Sequence, residues 1–178
     1  VLPMLTKRMN AVHGTREVDC QLIGTFPYYP EFTQAEMVVG QFLNEEEESS
    51  KVSSCVISLS LAERLFAGHN PLLEKIVVRG YESSQVFQVK GVLQERVDAE
   101  KLPQLDDSLG RTITANVYVP LSTFYALYGV KNVDRSVGNL KLEAVELTEI
   151  RVEFESVEKV LSSLPLIHEA LRAGRDER

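Results

Sequence analysis

Gly40-Gln41-Phe42-Leu43, the run Glu45-Glu46-Glu47-Glu48-Ser49-Ser50, a strand candidate from Val52 to Ser58, Ser60-Leu61-Ala62-Glu63-Arg64-Leu65-Phe66, His69-Asn70-Pro71-Leu72 and Phe87-Gln88-Val89-Lys90-Gly91-Val92-Leu93 follow one another between residues 40 and 93. Ser60 reads as a helix N-cap because Glu63 stands three residues on, the Ser-x-x-Glu capping box. Leu61, Leu65 and Phe66 then form one apolar stripe. Gly68 suits the left-handed position just past the helix, and Pro71 prevents its resumption. A helix of about two turns is unstable alone in water, so it must pack on a sheet. Lys75 to Arg79 and Gln85 to Leu93 read as a hairpin, with Gly80 and Ser83-Ser84 in its connection. Alternation places Phe87, Val89 and Leu93 on one face. The glutamate run reads as a solvated loop or frayed helix. It lacks the spaced oxygens and the glycine of a calcium loop.

Working outward, Arg8 to Val12 and Glu17 to Ile23 form a second hairpin, turned at His13-Gly14. Val18, Cys20 and Leu22 alternate with Asp19 and Gln21, the period of a half-buried strand. Thr25-Phe26-Pro27-Tyr28-Tyr29-Pro30 carries two prolines, which favour an extended link and mark a lobe boundary. Phe26, Tyr28, Tyr29 and Phe32 on this stiffened stretch are the candidate partner contacts. Packing between lobes is the other reading of them. Leu102 to Gly110 reads as a loop. In Thr112 to Val119, Ile113, Ala115, Val117 and Val119 point one way, and Thr114, Asn116 and Tyr118 the other. Pro120 ends that strand. Ser122 or Thr123 caps a short helix with Phe124, Leu127 and Tyr128, closed by Gly129. Leu140 to Phe154 is the longest strand candidate. Its second half sets Ile150, Val152 and Phe154 on a buried face against Glu149, Arg151, Glu153 and Glu155 on a wet one. Ser156 caps a closing helix with Val157, Val160, Leu161, Leu164 and Leu171 on one side, kinked by Pro165. Hairpins dominate this order, so the fold class is α+β with mixed sheets and short helices.

The 178 residues suffice for one domain or two small lobes, with 44% hydrophobic and 25% charged residues. A net charge of -7 argues against nucleic acid and against anionic lipid, both of which select clustered Lys and Arg. No apolar run approaches the ~20 residues of a membrane span. The chain opens abruptly at Val1-Leu2-Pro3 without an initiator Met, so a span on either side is compatible with it. Cys20 and Cys55 are too far apart for a Cys-x-x-Cys unit. Two buried thiols are the first reading; a disulfide worth roughly 4 kcal/mol on the chain-entropy model is the second. His13, His69 and His168 do not stand at metal-ligand spacing. Neither a Gly-x-Ser-x-Gly elbow nor a phosphate loop occurs, so no catalytic residue, cofactor or metal is assigned. Asp106 and Asp107 fit a polar loop better than a catalytic pair.

The ordered series that opens this section resembles the extracytoplasmic, periplasmic core domain of MacB-like ABC transporter permeases, within the wider FtsX-like group. Val117-Tyr118-Val119-Pro120-Leu121 with its short helix, and Ile150-x-Val152 with the closing helix, are similar to the family too. Two departures stand out. The family usually has a Gly after Pro-Leu where this chain has Leu73, and an apolar residue is common where it has Lys90. The resemblance implies two lobes: a porter-like one from 1–31 plus 140–178 beside the membrane helices, and an inserted sabre-like one from 32–139. It implies a membrane protein with this domain extracytoplasmic, connected by flanking helices. It also implies a homodimeric permease, ATP hydrolysis on a separate nucleotide-binding domain or subunit, and contact with a periplasmic adaptor or cargo. The closing helix, with Val157, Leu161, Pro165 and Leu171, would be a lever passing ATP-driven change. The alternatives are a stand-alone periplasmic binding or adaptor domain and, behind it, a cytosolic α+β enzyme.

Overall fold

The computed structural model describes residues 1–50, 53–80, 83–95, 115–129, 131–136, 139–144, 149–152, 159–160, 163–167 and 169. Two long strands organise it. β1 (Leu2–His13) and β2 (Arg16–Thr25) pair antiparallel from Leu5↔Gly24 to His13↔Arg16. Gly14, at φ +57°, opens the two-residue loop between them. This is the hairpin expected from the alternation of Val18, Cys20 and Leu22. α1 (Tyr29–Thr33) follows, where an extended link was expected. The difference has a simple cause: Pro30 lies in the first helical turn, where its missing N–H costs nothing.

β3 (Glu36–Gly40), α2 (Glu45–Ser50), β4 (Ser54–Ser58), α3 (Leu59–Phe66), β5 (Lys75–Arg79) and β6 (Ser84–Gln94) come next. β7 (Asn116–Pro120) leads into α4 (Leu121–Tyr128). β8 (Lys131–Ser136) and β9 (Asn139–Ala144) form a two-stranded sheet of their own, and β10 (Glu149–Arg151) pairs with the start of β1. The expected strand from Leu140 to Phe154 is therefore two strands in different sheets. Phe154 lies outside the described residues, as do the expected residues of Leu102 to Thr114.

The main sheet runs β10-β1-β2-β7-β4-β6-β3. β5 bonds both β1 and β6, so β1, β2, β7, β4, β6 and β5 close into a ring. Pairings are antiparallel except β2 with β7 and β4 with β6, so the sheet is mixed. Strands from the segments 1–31 and 32–139 meet in it, β1 with β5 and β2 with β7.

Alternation feeds two apolar clusters, one on each face. The larger joins Met9, Cys20, Ile57, Phe87 and Val117 with Leu61, Leu65 and Phe66 of α3 and Phe124 of α4. The smaller joins Leu2, Met4, Ile23, Tyr29, Val56, Leu93 and Tyr118. Leu93 is a correction: it does not share a face with Phe87 and Val89. Cys55 pairs with Val89 but Val56 pairs with Gly91, leaving Lys90 as an extra residue that inverts the alternation. Val92 takes the inner position instead.

The caps differ as well. Ser58, not Ser60, caps α3: its Oγ accepts the Leu61 N–H at 3.3 Å and the Asn116 N–H at 2.9 Å. Neither Ser122 nor Thr123 is the N-cap of α4; that position is Pro120. Glu48 of α2 instead accepts the Ser122 N–H at 2.9 Å, and its carbonyl accepts the Ser122 hydroxyl. The glutamate run is thus a short helix with work for two of its carboxylates. Asn44 and Glu47 form a reciprocal capping box, with Glu47 N–H to Asn44 Oδ1 at 2.9 Å and Asn44 N–H to Glu47 Oε2 at 3.0 Å. Lys90 lies 2.6 Å from the same Glu47 carboxylate.

Candidate functional site

The second cluster is where the candidate aromatics gather. β2 ends at Thr25, and the chain turns through Phe26 and Pro27 onto that face of the sheet. Phe26 and Tyr28 stack, with ring centroids 5.6 Å apart and planes 9° from parallel. Tyr28 is 40% exposed and its hydroxyl donates to the Val1 carbonyl at 3.3 Å. Phe32 packs half-buried against the cluster. Tyr29, the next residue after Tyr28, points the other way and is buried in it. Its ring stacks on Phe42 at 5.9 Å and tilts against Tyr118 at 5.1 Å.

Behind these rings lies a carboxylate that the sequence reading did not single out. Glu95 Oε1 accepts the Tyr29 hydroxyl at 3.0 Å and the Tyr118 hydroxyl at short range. Glu95 Oε2 accepts Asn116 Nδ2 at 2.9 Å. Burial, then the facing Glu95 charge, pushes the Tyr29 hydroxyl well above its ordinary pKa. Burial does the same to Tyr118, helped by Tyr29 and Glu95. Both phenols therefore stay protonated and serve as donors. Asn116 Oδ1 is buried without a hydrogen-bond partner, so the network is incompletely satisfied. The available signal was the polar set Asn116 and Tyr118 on a strand whose other side is Ala115, Val117 and Val119. Both faces of β7 proved to be buried.

Arg151 of β10 reaches the same neighbourhood. It sits opposite Leu2, a member of the cluster. Its Nε donates to Glu149 Oε1 at 2.6 Å. Burial opposes its charge, but Glu149 and, at longer range, Tyr29 and Glu95 hold its pKa above the ordinary value. Ile150 and Val152 are 46% and 40% exposed, a correction to the buried face expected for them.

Of the lever residues, Pro165 is exposed within helical residues 163–167; Val157, Leu161 and Leu171 lie outside the described residues. Cys20 and Cys55 are buried free thiols. Burial pushes Cys20 up to about 12 and Cys55 further still. Among the described residues no three His, Cys, Asp or Glu side chains gather as metal ligands, and no helix is long and apolar enough to cross a membrane.

The family model of the MacB-like periplasmic core domain matches residues 1–161. This chain belongs to that family. A relative, the macrolide export ATP-binding/permease protein MacB of Bdellovibrio bacteriovorus, is 27% identical over 151 residues. That alignment takes in 85% of this chain but 21% of the relative, so the chain spans about a fifth of its length. The periplasmic region of MacB from Actinobacillus actinomycetemcomitans superposes with a TM-score of 0.61 at 16% identity, covering 97% of this chain and 66% of that one. The extracellular domain of the noncanonical ABC-type transporter YknZ from Gram-positive bacteria gives 0.58 at 19% identity, covering 91% and 68%. At those identities the likeness is one of fold, and it fits the α+β class. As a MacB-like core domain, the chain is an extracytoplasmic part of an ABC transporter permease.

Proposed function

We propose that this MacB-like domain passes ATP-driven conformational change between the membrane part of its permease and an adaptor or cargo outside the cell membrane. ATP is bound and hydrolysed on a separate domain or subunit, and two copies of the permease work together. The observation that carries this reading is the pairing of Leu2 with Arg151. It sets residues 1 and 152 side by side at one edge of the sheet. A domain held between two membrane segments needs that geometry, because force applied to both segments then enters the sheet at one place. The closing helix with Pro165 is the lever on the exit side. The segments 1–31 plus 140–178 would serve as the membrane-proximal lobe and 32–139 as the outer one. Their shared sheet supports direct transmission between them, since coupling travels through packed, rigid elements.

Tyr28, backed by Phe26 and Phe32, is the contact for the adaptor or cargo, and Tyr29 anchors that face from inside. The test is Tyr28→Ala in the full-length permease, with transport and basal ATP hydrolysis measured together. Transport falling while basal hydrolysis persists supports the reading. Unchanged transport removes Tyr28 from the partner surface. Pro165→Ala probes the lever in the same assay, and unchanged transport there counts against it.

A further inference from the structure

The outer wall of the ring carries a row of valines that reaches solvent. Val12 pairs with Val77, and Val77 with Val86, so the three stand side by side across β1, β5 and β6. Alternation turns them away from Ala11, Val78 and Phe87, which enter the larger cluster inside the ring. Val86 is 48% exposed, and Val12 and Val77 are half-buried. The smaller cluster, on the same side of β1 at Leu2 and Met4, stops short of this row. The charges beside the row are sorted by strand. On β2, to one side of β1, Glu17 lies opposite Val12 and Asp19 opposite Asn10, and both acids are exposed. On β5, to the other side, Lys75 and Arg79 are exposed and straddle Val77 on the same face. Arg79 is level with Asp19, since both pair with Asn10.

An acidic strip, the Val12–Asn10 strip and a basic strip thus run side by side, and such a wall is complementary to itself. An isologous interface applies one patch to a copy of the same patch. With a twofold axis along β1, Val12 meets Val12, and the acidic strip of each copy lies over the basic strip of the other. Sheets packed face to face stand about 10 Å apart, a gap that Asp19 and Arg79 bridge from its two sides. A twofold axis across the strands would lay β2 on β2, acid on acid, so charge selects the first arrangement. Arg8, the next exposed residue on this face of β1, would meet its own copy on the axis, which ends the contact at that level. We propose that two copies of this domain meet through the outer wall of β2, β1 and β5, with Val12 on the axis and Asp19 facing Arg79 of the second copy. The inference rests on the reading above that two permease copies work together. In that reading β1 starts at the membrane, so an axis along it runs outward, as the twofold of two copies in one membrane must. The wall of a closed ring is convex, so the contact is narrow and weak by itself. Two copies anchored side by side meet it at high effective concentration.

The experiment is cross-linking with a short bismaleimide in the full-length permease carrying Val12→Cys, in a background without other exposed cysteines. The mass of the untreated complex is measured alongside. Cys20 and Cys55 are buried and out of reach. Val12→Cys should join the two copies, and Glu63→Cys, on the exposed side of α3, should not. Asp19→Lys and Arg79→Glu, each added to Val12→Cys, are expected to lower the cross-linked fraction about 5-fold, and the two together should restore it. Salt at about 1 M should lower it as well. A dimeric complex in which Val12→Cys joins no better than Glu63→Cys overturns the proposal, leaves the transport reading standing and assigns the wall to another occupant. A monomeric permease overturns both. The proposal also fails if the paired charge exchange stays as weak as the single ones. Should that doubly exchanged chain fail to fold, the yield of Val12→Cys against Glu63→Cys decides alone.

Discussion

The two faces of the sheet are built from the same strands by different means. On β7, Val117 and Val119 enter the larger cluster, while Asn116 and Tyr118 face the smaller one one residue away. The larger cluster is aliphatic and aromatic carbon, plus two thiols kept neutral by burial. Its members need only fit, and burial is worth about 25 cal/mol per Å². The smaller holds a carboxylate, two phenols and an amide amid rings. There each donor needs its acceptor, because an unpaired buried polar group costs about 1–3 kcal/mol. The first face can tolerate volume-conserving exchange; the second fixes one arrangement of α1, β7 and the end of β6.

The largest expected effect breaks the first face. Phe87 is fully buried, so Phe87→Ala should cost about 3–5 kcal/mol in chemical denaturation. A loss below about 1 kcal/mol would mean the ring interior is not packed as described. On the second face, Tyr118→Phe keeps the volume and removes one donor to Glu95. It should cost about 1.5–3 kcal/mol, the range for a hydrogen bond to a charged group. An unchanged midpoint would show that Glu95 does not depend on Tyr118.

A smaller effect is expected at the capping box below these faces. Asn44→Ala should cost about 1 kcal/mol. Glu47 is affected by burial, which raises its pKa, but Lys90, Ser54 and Asn44 bring it below the ordinary 4.5. A depressed folded-state pKa contributes stability that is present above the unfolded value and lost as pH falls through the folded one. The wild-type chain should therefore lose this contribution below about pH 4.5, and Glu47→Gln should flatten that part of a stability–pH curve.

The smallest effect has the opposite sign. Leu73 sits at φ +67° and is 73% exposed, in a left-handed conformation that favours glycine. Leu73→Gly relieves left-handed strain worth about 1–2 kcal/mol, offset by glycine's greater unfolded-state entropy. A net gain up to about 1 kcal/mol in thermal or denaturant unfolding is expected, and a loss would mean that the Leu73 side chain is anchored.

The hairpins were legible in the sequence because period-two alternation and a turn residue are local signals. The closing of the ring was not, since β5 pairs with β1 through partners as far apart as Asn10 and Arg79 and nothing local marks the partner. Alternation also failed where one residue was inserted: Lys90 moved Leu93 to the opposite face. The aromatic half of the candidate site was visible as Phe26, Tyr28, Tyr29 and Phe32, but adjacent tyrosines ended up on opposite sides of a five-residue helix that the prolines had argued against. Glu95, at the end of an apolar strand, looked like any solvated glutamate. Only the tertiary placement of two phenols and an amide gave it a role.

The central claim is that force enters this domain where β1 and β10 lie side by side. Pro3 and Ile150 are directly opposed there, on the side of the sheet away from the buried Leu2 and Met4, and as a pair outside the hydrogen-bonded set their Cα atoms stand close, about 4.5 Å. Pro3→Cys with Ile150→Cys in the full-length permease would staple β10 to β1 under oxidation. Transport that persists with the staple closed, with ATP binding intact, is the predicted result, because force then enters through a covalently joined pair of strands. Transport that stops on oxidation and returns on reduction would contradict this, since β10 would then have to part from β1.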